Sequence, residues 1–160
     1  LKPHLRDILK DNDAIFLLSL MIIDETDNAD YFLYKFNFSK KDEKRIKNLD
    51  KFFKEKINSK TFLEENMNKI FYYYGKETAL DILNYRMIKL NKLDNSLKKL
   101  IENYKNKLIP KMPVSAELLM KKYEIPEGKQ LGAKLRVIET EWVKNNFRIS
   151  EQQVDKIVKS

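Results

Sequence analysis

The chain contains no cysteine, so no disulfide can staple it and no thiolate can hold zinc. Its one histidine, His4, has no second histidine or cysteine to share a transition metal and reads as a surface residue. Three glycines and four prolines in 160 residues are too few for the tight turns of a β protein. With 35% charged and 42% hydrophobic residues, the composition instead fits an all-α soluble domain. Long apolar runs are also missing. Ala14 to Ile23 is the longest, about half the ~20 residues that a membrane span needs. No small-residue cleavage pattern follows it, so it reads as a buried core helix and not as a signal peptide. These absences place the expected home of the chain in the cytoplasm, with no membrane partner.

What is abundant is positive charge. Lys and Arg outnumber Asp and Glu by 32 to 24, giving a net charge of +8 and a pI near 9.4. Such a surface attracts nucleic acid through counterion release, or anionic membranes through the same Coulomb attraction. A plainer source is the Lys, Asn and Ile bias of an AT-rich genome, and composition alone leaves the two readings open. The length suits one domain, burying roughly two-thirds of the surface its unfolded chain exposes. Because it opens on Leu1, the chain is expected to be a piece of a longer protein.

Helix signals follow one another along the sequence. Pro3 suits the first position of a short helix through Lys10. Asp13 can cap the apolar helix at 14–23, and Asp24 to Asp30 is a polar loop. Tyr31 to Phe38 alternates as a strand would. The following Ser39-Lys-Lys-Asp42 resembles a capping box, opening a helix with Ile46, Leu49, Phe52 and Phe53 on one face. Further helices are expected over about 60–74, closed by Gly75, from about 76 with Ala79, Ile82, Leu83, Met87 and Leu90 along it, and over 93–108. Together these predict an antiparallel helical array. The prolines at 110 and 113 then interrupt the pattern. Ser115 can cap a short helix, Ile125-Pro126-Glu127-Gly128 is a turn, and Leu131, Leu135, Ile138 and Trp142 form one helical stripe. Ser150-Glu-Gln-Gln153 is a capping box for a last helix. The expected division is a helical body over 1–108 and a smaller helical tail over 109–160, or one continuous domain.

No catalytic apparatus or metal site is visible. Asp11-Asn12-Asp13 has the spacing of a paired-carboxylate metal site, but no strand or Gly-rich phosphate loop precedes it, and a helix cap explains it better. Asp24 to Asp30 lacks the glycine and distal glutamate of a calcium loop. Tyr72, Tyr73 and Tyr74 offer faces on which unpaired bases stack. Helical spacing sends Tyr74 inward with Ile70 and leaves Tyr72 or Tyr73 outside. Arg86 lies beside an apolar stripe, where a salt bridge or a snorkelling stem is the plainer reading. The sharpest feature is Glu127-Gly128-Lys129-Gln130-Leu131-Gly132. Gly128 just before a helix leaves the first backbone amides open, and Lys129 adds charge where a phosphate would sit. Alternatively, Gly132 simply lets another helix pack closely.

Several of these pieces resemble one family in order. Met112-Pro113-x-Ser115-x-x-Leu118-Leu119, Ile125-Pro126-x-Gly128-x-x-Leu131-Gly132-x-x-Leu135, then Ile138-Glu139-x-x-Trp142 and Phe147 resemble the C-terminal end of bacterial class II tRNA nucleotidyltransferases. These are the CCA-adding enzymes and the related poly(A) polymerases. Phe36-Asn37-Phe38-Ser39-Lys40-Lys41-Asp42-Glu43, Tyr73-Tyr74-Gly75-Lys76-Glu77-Thr78-Ala79 and Tyr85-Arg86 look like upstream parts of the same family. Asn37 and Lys40 depart from its usual residues.

The resemblance implies a helical body and tail without the catalytic head and neck, which in this family lie N-terminal and select the nucleotide. It implies an RNA partner, the 3′-end region of tRNA, gripped by backbone contacts, with the protein's own head and neck as the second partner. Mg²⁺ with ATP or CTP is expected in the head, and no cofactor in this fragment. RNA contacts are expected at Lys121, Lys122, Gly128, Lys129, Gln130, Gly132 and Lys134, with Arg86 and Lys89 as weaker positions. The rival expectation is a free-standing helical module that binds protein.

Overall fold

A computed structural model describes residues 3–55, 59–90 and 92–160, with residues 4, 5 and 59 by backbone alone. The expectation for His4 therefore lies outside the described side chains. The described residues form ten α-helices and one short 3-10 turn, with no strand among them. The helices are α1 (Pro3–Asp11), α2 (Ala14–Ile22), α3 (Asn28–Lys35), α4 (Lys40–Lys54) and, after the 3-10 turn Ser59–Phe62, α5 (Glu64–Tyr74). Then come α6 (Lys76–Leu90), α7 (Asn95–Asn106), α8 (Ala116–Tyr123), α9 (Lys129–Lys144) and α10 (Glu151–Lys159). The all-α architecture read from composition is the one observed.

Short side chains set the helix starts as their chemistry requires. Asp13 accepts the Phe16 amide at 3.0 Å, Ser39 the Asp42 amide at 3.1 Å, and Ser115 the Leu118 amide at 3.2 Å. Ser150 and Gln153 close a complete capping box. At Ser39 the reciprocal bond differs from the expected box, because the hydroxyl donates to the Asp42 carboxylate itself at 2.7 Å. The alternating segment from Tyr31 is helical through Lys35, and Phe36 beyond it is extended. Ala29, Phe32 and Leu33 give it a helical apolar face that packs with the body core, and Lys35 lies over the Tyr31 ring four residues back. Gly75 sits between α5 and α6 at φ +92°, a left-handed conformation suited to glycine.

Two hydrophobic cores result. The larger is built on Phe16, Ile46, Leu49, Met67, Phe71, Ile82 and Leu83 from α2 and α4–α6, and α7 closes it with Leu97, Ile101 and Tyr104. The smaller joins Leu119, Leu131, Ile138 and Val154 from α8, α9 and α10. Inside the larger body, Arg45 fastens α4 to α6. Its Nε and Nη2 donate to the two Asp81 oxygens at 2.5 and 2.8 Å, and its Nη1 donates to Asp13 at 2.6 Å. The Asp81 side chain is only 3% exposed, and burial pushes its carboxyl upward against the pull of Arg45.

An aromatic seam joins the two cores. Tyr72 from α5 meets the Trp142 ring edge-on at 5.3 Å, and Trp142 meets Phe147 at 5.1 Å. The Tyr72 hydroxyl donates to Glu139 at 2.8 Å. Beneath it, the fully buried Asn68 donates to Asn146 at 2.6 Å and accepts from Tyr104 at 2.7 Å and Lys107 at 2.9 Å. Lys107 also lies 5.2 Å from both the Tyr104 and the Phe147 rings. At the end of α9, Asn146 takes a left-handed φ of +55° and the Phe147 amide donates back to the Trp142 carbonyl at 2.8 Å. That is a Schellman closure, completed by the Phe147–Trp142 contact.

Two outcomes follow from these ties. Asp81→Ala leaves the Arg45 guanidinium buried beside Asp13 alone and is expected to lower unfolding stability in urea by about 3–5 kcal/mol. Lys41→Ala, which breaks the exposed pair with Glu77 at 3.0 Å, should change it by less than about 1 kcal/mol. The seam is pH-sensitive on the alkaline side. Burial first, then the bond to Glu139, push the Tyr72 phenol from 10.0 up to about 12. The folded state therefore holds this proton more tightly than the unfolded chain. The resulting stability is complete below pH 10.0 and is lost as pH rises to about 12. Fluorescence of Trp142, the only tryptophan, reports the change. Tyr72→Phe should weaken its dependence on pH in that window, and an unaltered profile would show that Tyr72 does not set it.

Candidate nucleic-acid interface

The tail turns sharply between α8 and α9, and the turn leaves an open helix end. Glu124 closes α8 in the left-handed region at φ +54°, and Gly128 precedes α9 at φ +149°. No side chain caps α9. Its first turn begins with the Gly132 amide donating to the Gly128 carbonyl at 3.1 Å, so the amides of Lys129, Gln130 and Leu131 have no intrahelical acceptor. Gly128, Lys129 and Gln130 are all exposed. The positive end of the helix dipole and the Lys129 ammonium therefore face solvent together.

Gly132 is not explained by close helix packing. A Cβ placed there would meet nothing within 4 Å, so the residue leaves a gap one turn into α9.

The remaining expected residues separate into groups. Lys121 is exposed on the last turn of α8 and makes no ion pair. Lys122 instead pairs with Glu151 and lies over the Tyr123 ring, whose hydroxyl reaches Asp155. Lys134 donates to the Ile157 carbonyl at 3.0 Å, where a cation complements the C-terminal end of α10. Lys122 and Lys134 thus make contacts between tail helices whose packing is carried by their apolar core. Arg86 and Lys89 lie on α6, away from this turn. Arg86 covers the Phe62 ring at 5.3 Å and Lys89 the Tyr85 ring at 5.3 Å. Their cleft also contains Asp24, Glu25 and Glu55, which makes it a poor place for a phosphate.

A basic position the sequence reading passed over is Arg136. It lies seven residues beyond Lys129, on the same side of α9 and about 10 Å along the axis. Arg136, Val137 and Thr140 are exposed, while Leu131, Ile138 and Trp142 on the opposite side are buried. The heptad spacing was the available signal, overshadowed by the glycines of the turn.

The tyrosines also need reassignment. Tyr72 is the one packed into the seam, and Tyr74 is half exposed. The reversal arises because α9 covers the Tyr72 side of α5, a contact that spacing within α5 cannot reveal. Tyr73 is also half exposed, with Glu139 and Thr140 of α9 beside its hydroxyl.

Asp11-Asn12-Asp13 is a structural corner. Asp13 caps α2 and binds Arg45, Asp11 pairs with Lys105 at 3.2 Å, and Asn12 bonds back to the Ile8 carbonyl. Among the described residues, no group of three or more histidine, cysteine or carboxylate side chains is placed to hold a metal ion. None of the described helices is long and apolar enough to cross a membrane.

Comparison with known proteins bears on what this arrangement serves. No curated protein and no solved structure matches the chain. A family described as tRNA nucleotidyltransferase domain 2 matches residues 7–156, from α1 to α10. With both cores and the seam between them inside that span, the chain belongs to the tRNA nucleotidyltransferase domain 2 family.

Proposed function

We propose that this chain is the RNA-holding helical region of a template-independent nucleotidyltransferase, the enzyme class that adds CCA or poly(A) to RNA 3′ ends. The observation that carries the reading is the uncapped N-terminus of α9, with Lys129 beside it and Arg136 on the same exposed face. Free amides and two unpaired cations in line suit the phosphates of an RNA backbone, and a helix so placed reads no base. Lys121 at the end of α8 extends the same basic tail surface. Family membership supplies tRNA as the fitting ligand.

In this reading the chain performs no bond-making step of its own. The Mg²⁺ and the ATP or CTP of the parent reaction are assigned to a catalytic head outside these residues. The contribution of α8 and α9 is to fix the RNA, so that its 3′ end reaches that head in a reproducible position.

A second reading, a helical module that binds protein, draws on exposed apolar side chains of α2 and α3. Met21 is 79% and Tyr34 90% exposed. Titrating tRNA against salt separates the two. The RNA reading expects affinity to fall at least about tenfold between about 50 and 200 mM salt. Lys129→Ala with Arg136→Ala should weaken binding and lower the salt slope by about 1–2. Weak binding that ignores both salt and these substitutions would favour the protein-binding module.

A further inference from the structure

A cavity in the larger body opens where α1, α6 and α7 meet. Its volume of about 390 Å³ lies within the range of small-molecule sites. The inner wall is apolar. Met87 of α6 and Ile101 of α7 line it at 2% and 8% exposure, with Leu80 of α6 and Ile8 of α1 beside them. Leu93, in the connection between α6 and α7, is half exposed and carries the apolar lining outward. Methionine is the most adaptable apolar side chain, so Met87 can refit this wall to different shapes.

One polar side chain is set into that wall. Asn84 lines the cavity three residues before Met87 and is 4% exposed. Its amide nitrogen donates to the Asn12 side-chain oxygen at 3.3 Å, the only hydrogen bond its side chain makes among the described residues. An asparagine amide has two N–H donors and an accepting oxygen, so this one keeps capacity for a further partner.

The rim carries charges of both signs, and they do not cancel. Lys105 pairs with Asp11 at 3.2 Å and Lys98 with Glu102 at 4.0 Å. Asp7 is exposed one turn before Asp11 and pairs with no cation among the described residues. The chain as a whole is +8, yet the rim of this cavity is left with one negative charge in excess. A phosphate here would face the carboxylates of Asp7, Asp11 and Glu102, so the cavity does not extend the RNA-holding surface.

We infer that this cavity binds a small organic cation, an amine or guanidine carried on a hydrocarbon or aromatic body. The body fills the apolar space against Met87 and Ile101, the charged head lies beside Asp7, and the Asn84 amide serves a polar group on the body. Magnitudes divide the work between these parts. An exposed ion pair changes affinity only a few-fold, whereas each buried methylene changes it about fourfold. The apolar wall therefore supplies most of the affinity, and Asp7 supplies the preference for positive charge. The site uses none of the residues assigned to RNA and does not rest on that reading.

Methyl NMR of the whole chain tests this. The probes are 4-phenylbutylamine and 4-phenylbutyrate, which share one body and differ in the sign of the head, and spermidine, which has charge without an apolar body. The amine should shift the Met87 and Ile101 methyls, leave those of Ile138 and Val154 in the tail unmoved, and bind about tenfold more tightly than the butyrate. Spermidine should leave all of these methyls in place. Asp7→Asn, an exposed change that leaves the core untouched, should weaken the amine about threefold, and Asp7→Lys should remove its advantage over the butyrate. Unmoved Met87 and Ile101 methyls, or shifts of equal size in the tail, would overturn the site. Equal affinity for amine and butyrate, or an amine affinity indifferent to both Asp7 substitutions, would overturn its assignment to a cation.

Discussion

The orientation of α9 depends on one packed seam, and most of what the surface offers depends on that orientation. Tyr72, Trp142 and Phe147 bring their rings together where α5 crosses the C-terminal half of α9. Asn68 lies beneath them, fully buried, with its amide and carbonyl both bonded. Such a network restricts geometry more than an apolar contact of equal area, because a shifted helix would leave buried polar groups unpaired. Tethered at that end, α9 places its N-terminus about 20 Å along its axis from Trp142 at the rise of an α-helix. The smaller core then clasps it between α8 and α10. The position of the open turn at Gly128 is thus set by packing farther along α9 and on α8.

Net charge describes this molecule less well than the distribution of its charges. Lys54 is gathered among Asp27, Asp30 and Asp50, Arg45 among Asp13 and Asp81, and Lys47 pairs with Glu43. Lys107 is held between two rings and Asn68. These cations build the fold. Among the described residues, those without a protein partner include Lys129 and Arg136 on α9, and Lys44, Lys51, Lys69 and Lys76 where α4, α5 and α6 meet. A surplus spread evenly over the surface would attract polyanions without orienting them, whereas cations grouped beside open helix ends also fix a direction.

The sequence disclosed local features well because local chemistry determines them. Asp13, Ser39, Ser115 and Ser150 cap helices through bonds spanning three residues, and such spacing is written in the chain. Gly75 and Gly128 mark their turns for the same reason. What stayed hidden needed a partner distant in sequence. Tyr72 and Tyr74 exchange their expected environments because α9 covers one and not the other. Lys134 looked free until α10 brought the Ile157 carbonyl to it. Arg136 is the exception, since its spacing from Lys129 was legible.

The three consecutive tyrosines show how closely the seam and the surface are related. Successive residues on a helix point about 100° apart, so Tyr72, Tyr73 and Tyr74 sweep around the end of α5. Tyr72 enters the seam, Tyr73 lies beside Thr140 on α9, and Tyr74 stands where α4, α5 and α6 meet. The Tyr72 and Tyr73 rings also meet edge-on at 5.0 Å. One turn of helix therefore carries the joint of the fold and two half-exposed rings. A shift of α5 would move the seam and both exposed rings at once, so the end of this helix cannot adjust one without the other.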